Sequence, residues 1–308
     1  MRQALKPTLF RMLAPIEKAN RKNYRLEHPP GFVIGPPRSA TTLVRHLLST
    51  GLETSYFSNL TTSTVFALGY PLPLTSALIV TKMGWAGGRS NRFENDYGRI
   101  DGPGAPTEGE VVWGHWFGTR YEAVDPGSVP AHTAAEMRRA VAGTAHIMGA
   151  PFVNKTTALS LRLEALVEVF PDAYFLRVRR DPLNIAQSIY IARTTRYEDW
   201  LGARPPECLE MSDAPLTEQI GAQVFHIERR IDESAGRIGE ERFLNVPYTE
   251  VCADPQETLN SIVSFMQARG VPATQVRPVP EMFDRSQGQK VDDVTYAALR
   301  RELDRLSA

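Results

Sequence analysis

The chain has 308 residues, 42% of them hydrophobic, and 35 Lys and Arg balance 35 Asp and Glu. Zero net charge excludes a general nucleic-acid binder, which needs a basic excess, and this length allows a full core without disulfides. Two cysteines (Cys208 and Cys252), no C-x-x-C pair and no run of 18 apolar residues exclude a disulfide scaffold, a cysteine zinc site and a membrane span. With no signal-peptide pattern at the N-terminus, a cytoplasmic protein without structural metal is expected.

Residues 2–23 interleave Leu5, Leu9, Phe10, Leu13 and Ile16 with Arg2, Lys6, Arg11, Lys18, Arg21 and Lys22, broken by Pro7 and Pro15. Two readings stand: a basic amphipathic segment in peripheral contact with an anionic membrane, or a helix packed on its own domain. Phe32 to Ile34 predicts a short buried strand, ended by Gly35 and two prolines. Ser39 is placed to cap a helix carrying Leu43, Val44, Leu47 and Leu48 at helical spacing. Strand, tight loop and helix form a unit that holds phosphate on the free amides of a helix N-terminus. In the Walker pattern G-x-x-x-x-G-K-[ST], Gly35 fills the first glycine and Ala40 stands at the second. Thr41 replaces the lysine and Thr42 fills the last slot. Lacking that lysine, and with Arg38 earlier in the loop, the segment suits a phosphate or phosphosulfate better than the tail of ATP.

Ser55 to Leu60 is polar and aromatic. Thr61 to Trp85 is apolar, with Pro71 and Pro73 interrupting any helix. Gly87 to Gly109 reads as a long loop running into Glu108, Glu110, Trp113, His115, Trp116 and Phe117. That cluster is either a wall of an acceptor site or a helix start with an acidic first turn and an aromatic core face. A helix is predicted over Ala134 to Ile147, a strand over Pro151 to Asn154, then Lys155-Thr156-Thr157 and a helix carrying Leu159, Leu161, Leu163, Leu166, Val167 and Phe170. A strand over Ala173 to Val178 ends at Arg179-Arg180-Asp181-Pro182. Asp181 is a natural N-cap with Pro182 at N1, and Ser188 lies two turns in. A nucleotide hydrolase commonly places an acid there to hold magnesium; Arg179 and Arg180 suit an anion. Leu201 to Pro215 reads as a loop or lid. Ile220, Val224, Ile227 and Ile231 share a helix face, and Arg242 to Val246 is a strand. Asp254-Pro255-Gln256-Glu257 is a capping box opening a helix that ends at Gly270, and a charged helix around Tyr296, Leu299 and Leu303 follows. The alternation predicts a P-loop-like three-layer α/β fold, its mainly parallel central sheet flanked by helices. Residues 1–308 are expected to form one domain, with 60–150 a helical and loop insertion lining the acceptor site.

These motifs together resemble a family. Pro37-Arg38-Ser39-Ala40-Thr41-Thr42-Leu43 is similar to the phosphosulfate loop P-R-S-G-T-T-L of sulfotransferases that use 3′-phosphoadenosine 5′-phosphosulfate (PAPS). Arg180-Asp181-Pro182 with Ser188 resembles the family's 3′-phosphate motif, and Asn154-Lys155-Thr156 its N-K-[TD] element. Val246 to Glu250 with Asp254-Pro255 resembles its V-x-Y-E-x-L…D-P segment, and Arg285-Ser286 with Lys290-Val291 a late serine segment. The resemblance implies PAPS as co-substrate, its bisphosphate PAP as product, no metal, and a glycan, lipid or small-molecule acceptor. It implies that Arg38, Ser39, Thr41 and Thr42, with Pro37 and Ala40 in the loop, hold the 5′-phosphosulfate. Arg180 and Ser188 would hold the 3′-phosphate, Tyr248 would touch the nucleotide, and Lys155 and Ser286 would stabilise the leaving phosphate.

Protein-tyrosine sulfotransferases carry a glutamate soon after the first helix; Ser55 to Leu60 offers none, and Glu53 is the nearest carboxylate. Bacterial carbohydrate sulfotransferases have a P-x-E-G…W segment that resembles Pro106 to Trp113. Glu108 is therefore the first candidate base, with His115, Glu110 and Glu53 behind it. Trp113, Trp116, Phe117 and Tyr121 have the composition of a sugar platform and equally of a core. Ala40 is expected to be right-handed helical, where its Cβ is harmless. A P-loop kinase or NTPase, and a non-catalytic adenosine-phosphate-binding protein, are the alternatives.

Overall fold

The computed structural model describes residues 7–85, 101–196 and 199–308. The expected loop over 87–109 falls largely, and part of the basic N-terminal segment wholly, outside them. Four strands, β1 (Gly31–Ile34), β2 (Val153–Lys155), β3 (Tyr174–Arg179) and β4 (Phe243–Pro247), form one parallel sheet in the order β2-β1-β3-β4. Gly31 sits opposite both Val153 and Tyr174, so β1 is central. Successive side chains leave opposite faces of a strand, and both faces are covered. Phe32, Ile34 and Phe175 join one apolar core; Val33, Tyr174, Leu176 and Val178 join another. This is a three-layer α/β fold.

After β1 the chain forms α3 (Thr41–Gly51), following the short N-terminal helices α1 (Pro7–Arg11) and α2 (Ala14–Ala19). Pro71 and Pro73 separate α4 (Asn59–Leu68) from α5 (Pro73–Lys82). Next come α6 (Glu110–Phe117) and α7 (Ala131–Met148), which lead to β2. The helix expected after Lys155 is divided into a 3₁₀ turn (Thr157–Leu161) and α8 (Leu163–Val169). The break is at Arg162, at φ −138° and ψ 22°. Its buried guanidinium is drawn to the carbonyls of Thr119 and Glu122, at 2.9 and 3.0 Å. Asp181 caps α9 (Pro182–Thr195) by accepting the Asn184 N–H at 2.8 Å. The long α10 (Leu216–Ile238) buries the predicted face in two places: Ile227 and Ile231 join the core of Phe32, and Ile220 and Val224 pack with Ile185, Ile189 and Leu299. Beyond β4 lie α11 (Tyr248–Ala253), α12 (Pro255–Gln267) and α13 (Asp293–Ser307). Only half of the capping box forms: Asp254 accepts the Glu257 N–H at 2.9 Å, but the Glu257 carboxylate turns to Asn260. Cys208 and Cys252 are both buried and free.

The described part of the basic N-terminal segment packs on the protein. Phe10 is buried, and so is Glu17, which accepts the Leu74 and Thr75 N–H groups at the start of α5. Those amides have no intrahelical acceptor, so Glu17 substitutes for a cap. Burial outweighs these bonds and holds its carboxyl above the ordinary carboxylate range. Glu17→Ala is expected to destabilise the fold by about 1–3 kcal/mol, the cost of stranding buried amides, measured by urea unfolding. Among the described residues no helix is long and apolar enough to cross a membrane.

Candidate active site

In a parallel sheet, ligands bind beyond the carboxyl ends of strands where the connections diverge. From β1 the chain leaves toward β2, and from β3 toward β4, so that point lies between β1 and β3. A cavity of about 1310 Å³ opens there, lined by the loop after β1, the residue after β3, the end of β2, and parts of α4 and α6.

The loop from Gly35 to Ala40 carries unusual backbone. Gly35 has φ +144°, and a Cβ there would lie 2.8 Å from Ser39 Oγ and 3.0 Å from the Val178 carbonyl. Arg38 and Ala40 are left-handed, with φ 68° and 80°. The expectation for Ala40 is thus corrected: it is the last residue before α3, where the chain reverses, and its Cβ costs about 1 kcal/mol. Because Ala40 takes the N-cap position, Ser39 does not cap α3. Its hydroxyl is fully buried outside the cavity lining and has no hydrogen-bond partner among the described residues. Pro37, Arg38, Ala40, Thr41 and Thr42 do line the cavity, and Thr41 and Thr42 are the first two residues of α3, whose amides precede the first intrahelical acceptor.

Arg180 ties three segments together. It donates to the Arg38 carbonyl at 2.9 Å and to the Ser286 carbonyl and hydroxyl at 3.1 and 3.2 Å. Its guanidinium lies 4.5 Å from the Tyr248 ring centre, and the Tyr248 hydroxyl accepts the Ser286 N–H at 2.7 Å. Arg38 Nε donates to Ser188 Oγ at 3.0 Å. Lys290, singled out by no expected role, donates to Ser286 Oγ. Burial first, then Arg38, holds Arg180 below its ordinary value; burial, Arg180 and Arg38 do the same to Lys290. Three cations gathered at one cavity wall suit a multiply charged anion. Arg179 is not among them. It shares a strand face with Arg177, and both pair with Glu228 and Asp232 on α10.

On the other side of the cavity Lys155, at the end of β2, is buried and ion-paired with Glu108. Glu110 accepts from the Tyr121 hydroxyl at 3.3 Å. Burial and Glu110 push the Tyr121 phenol up to about 12. Arg162 fixes Tyr121 through the flanking carbonyls of Thr119 and Glu122, and its guanidinium lies 4.9 Å from the Phe117 ring centre. Both readings of the acid–aromatic cluster hold at once: Glu108, Glu110 and Tyr121 line the cavity, while Trp113 and Trp116 are core. His115 is exposed in the last turn of α6, and Glu53 is exposed; neither lines the cavity. Phe66 and Trp200, which the sequence did not mark, do line it. Among the described residues no group of His, Cys, Asp and Glu is arranged to hold a metal ion.

A glycine–proline–arginine loop opens a helix at the switch point of an α/β fold, faced by a second arginine and a lysine and set beside an acid–amine pair. The chain belongs to the sulfotransferase family, whose model matches residues 29–272. The structure is similar to that of sulfotransferase STF9 from Mycobacterium avium, with 18% identity, 98% of this chain and 73% of that one covered, and a TM-score of 0.49. For sulfotransferase STF1 from Mycobacterium tuberculosis H37Rv the identity is 15%, the coverage 96% and 75%, and the TM-score 0.49. For a sulfotransferase from Alicyclobacillus acidocaldarius the values are 15%, 92% and 95%, and 0.42. No curated protein matches the chain.

Proposed function

We propose that the protein transfers a sulfuryl group from PAPS to a hydroxyl or amine of a carbohydrate or glycolipid acceptor, and that the whole chain works as one catalytic unit. The observation that carries this is the junction of Arg38, Arg180, Ser188 and Ser286 in one cavity with the Glu108–Lys155 pair. Its volume of about 1310 Å³ exceeds the roughly 300–1,000 Å³ of a single small-ligand pocket, which supports a donor and an acceptor bound together. Asn59, Thr62, Ser63 and Thr107 add amide and hydroxyl groups to the lining, which suits a polyhydroxyl acceptor.

The fit to the donor is by charge and by amides. Arg38, with the amides and hydroxyls of Thr41 and Thr42, holds the 5′-phosphosulfate, within the loop that Pro37 and Ala40 shape. Ser39 is buried within that loop and does not line the cavity. Arg180 and Ser188 hold the 3′-phosphate, and Tyr248 carries Arg180 on its ring face. When bound, PAPS supplies the sulfuryl group on a phosphate leaving group. Lys155 and Ser286 offset charge on that phosphate, and Glu108 takes the acceptor's proton, with Glu110 second in line. Cytoplasmic placement belongs to the same proposal. The burial of Phe10 and Glu17 favours an N-terminal segment that packs on its own protein over one resting on a membrane.

Calorimetry with PAP, alone and with EDTA, tests the donor. Binding that EDTA leaves unchanged is expected, whereas a kinase needs magnesium for its triphosphate. Transfer of labelled sulfate from PAPS to a panel of glycans and glycolipids tests the reaction. A chain that fails to bind PAP overturns the proposal; one that binds PAP and transfers to nothing is a non-catalytic binder.

A further inference from the structure

We propose that Ser160 is a positioning residue for the donor loop, a latch that keeps a strained backbone in its binding shape. The inference rests on the reading of Gly35–Ala40 as the donor loop. Ser160 lies in the 3₁₀ turn after β2, is buried, and does not line the cavity. Its hydroxyl oxygen accepts the Gly35 N–H at 3.0 Å, and its O–H donates to the Gly35 carbonyl at 3.2 Å. One side chain thus takes both backbone groups of the residue where β1 ends and the loop begins.

The loop needs such a hold. Arg38 and Ala40 are L-residues in left-handed conformation, two positions apart. Strained backbone of this kind persists only where its surroundings over-determine it. The ties from Arg180 to Arg38 and from Arg38 to Ser188 are made by groups of the anion site itself, and an arriving ligand competes for them. Ser160 grips from outside the ligand's reach. It keeps the loop ordered beforehand, so that binding does not bear the cost of ordering it. Where the family's loop has glycine, Ala40 adds Cβ strain that the latch has to hold against.

Two measurements test this. In the ligand-free protein, Ser160→Ala should speed amide hydrogen exchange at Gly35, Arg38, Ser39 and Ala40, the loop residues of 35–40 that carry an N–H, while the sheet keeps its protection. In calorimetry with PAP, Ser160→Ala should raise Kd about tenfold, the loss of two buried hydrogen bonds. Ser160→Thr, which keeps the hydroxyl, should recover part of it. Ala40→Gly removes the Cβ strain and should restore more affinity in the Ser160→Ala background than it adds to the native chain. Should Ser160→Ala not fold, Ser160→Cys keeps the volume and weakens the bonds, and the same readouts apply. Unchanged exchange over 35–40 overturns the latch, whether or not PAP binds. So does a PAP affinity within twofold of native, or an Ala40→Gly effect equal in both backgrounds. Failure of the native chain to bind PAP overturns the donor reading instead, and exchange alone then decides the latch.

Discussion

Arg180→Ala will weaken PAP binding by roughly 100- to 1,000-fold, the scale for removing a half-buried cation that makes several charge-assisted hydrogen bonds. The residue does more than supply charge. Its two terminal nitrogens hold the Arg38 carbonyl and the Ser286 segment together, so the donor loop and the late serine segment are both set by one guanidinium. Arg180→Lys will recover only part of the affinity, because an ammonium cannot span both partners in one plane. Stability will fall by less than affinity does, because relief of repulsion offsets part of the loss of the hydrogen bonds to Arg38 and Ser286. Without an anion, Arg38 and Lys290 face Arg180 as like charges, and deleting one of three relieves repulsion. Calorimetry with PAP and a thermal melt of the ligand-free protein read both effects. A variant that binds within threefold of native removes Arg180 from the donor site.

Glu108→Gln will lower turnover about 100- to 10,000-fold, the usual worth of a positioned general base, and leave PAP affinity within a few-fold. Glutamine keeps the shape but cannot take a proton. It also strands the buried Lys155 ammonium without its counter-ion, so a stability loss of about 1–3 kcal/mol is expected alongside. Glu110→Gln is the matched control, since it lies two residues on and lines the same cavity. Rates are taken with saturating acceptor from the transfer panel. Near-native turnover in Glu108→Gln, with a collapse in Glu110→Gln, would exchange the two roles.

What was legible in the chain was local. Phe32 to Ile34 before glycine and prolines announced β1, and Asp181-Pro182 announced the start of α9, because caps and apolar runs act over a few residues. The parallel sheet followed from the alternation of such units. What escaped reading depended on the path of the chain in space. Ala40 was misread because handedness before a helix is set by where the loop must go, which Ser160 and Arg180, more than a hundred residues away, help decide. Arg179 was misread as facing an anion because strand alternation puts it with Arg177 against α10. His115 was a candidate by proximity in sequence. It stands five residues after Glu110 on a helix, about 140° round its axis, and so projects to solvent while Glu110 lines the cavity. Lys290 was marked only as part of the late serine segment, without a role, and Ser160 carried no local signal; a serine among leucines becomes meaningful only when the fold delivers it.

The central place of β1 has a consequence for how the molecule comes into being. Residue 31 finds its strand neighbours at residues 153 and 174, so an apolar strand emerging from the ribosome has no edge to join until half the polypeptide has been made. Contacts so distant along the chain are slow to nucleate, and unpaired strands invite association between nascent chains. Yield in the cell should therefore rise with chaperone supply.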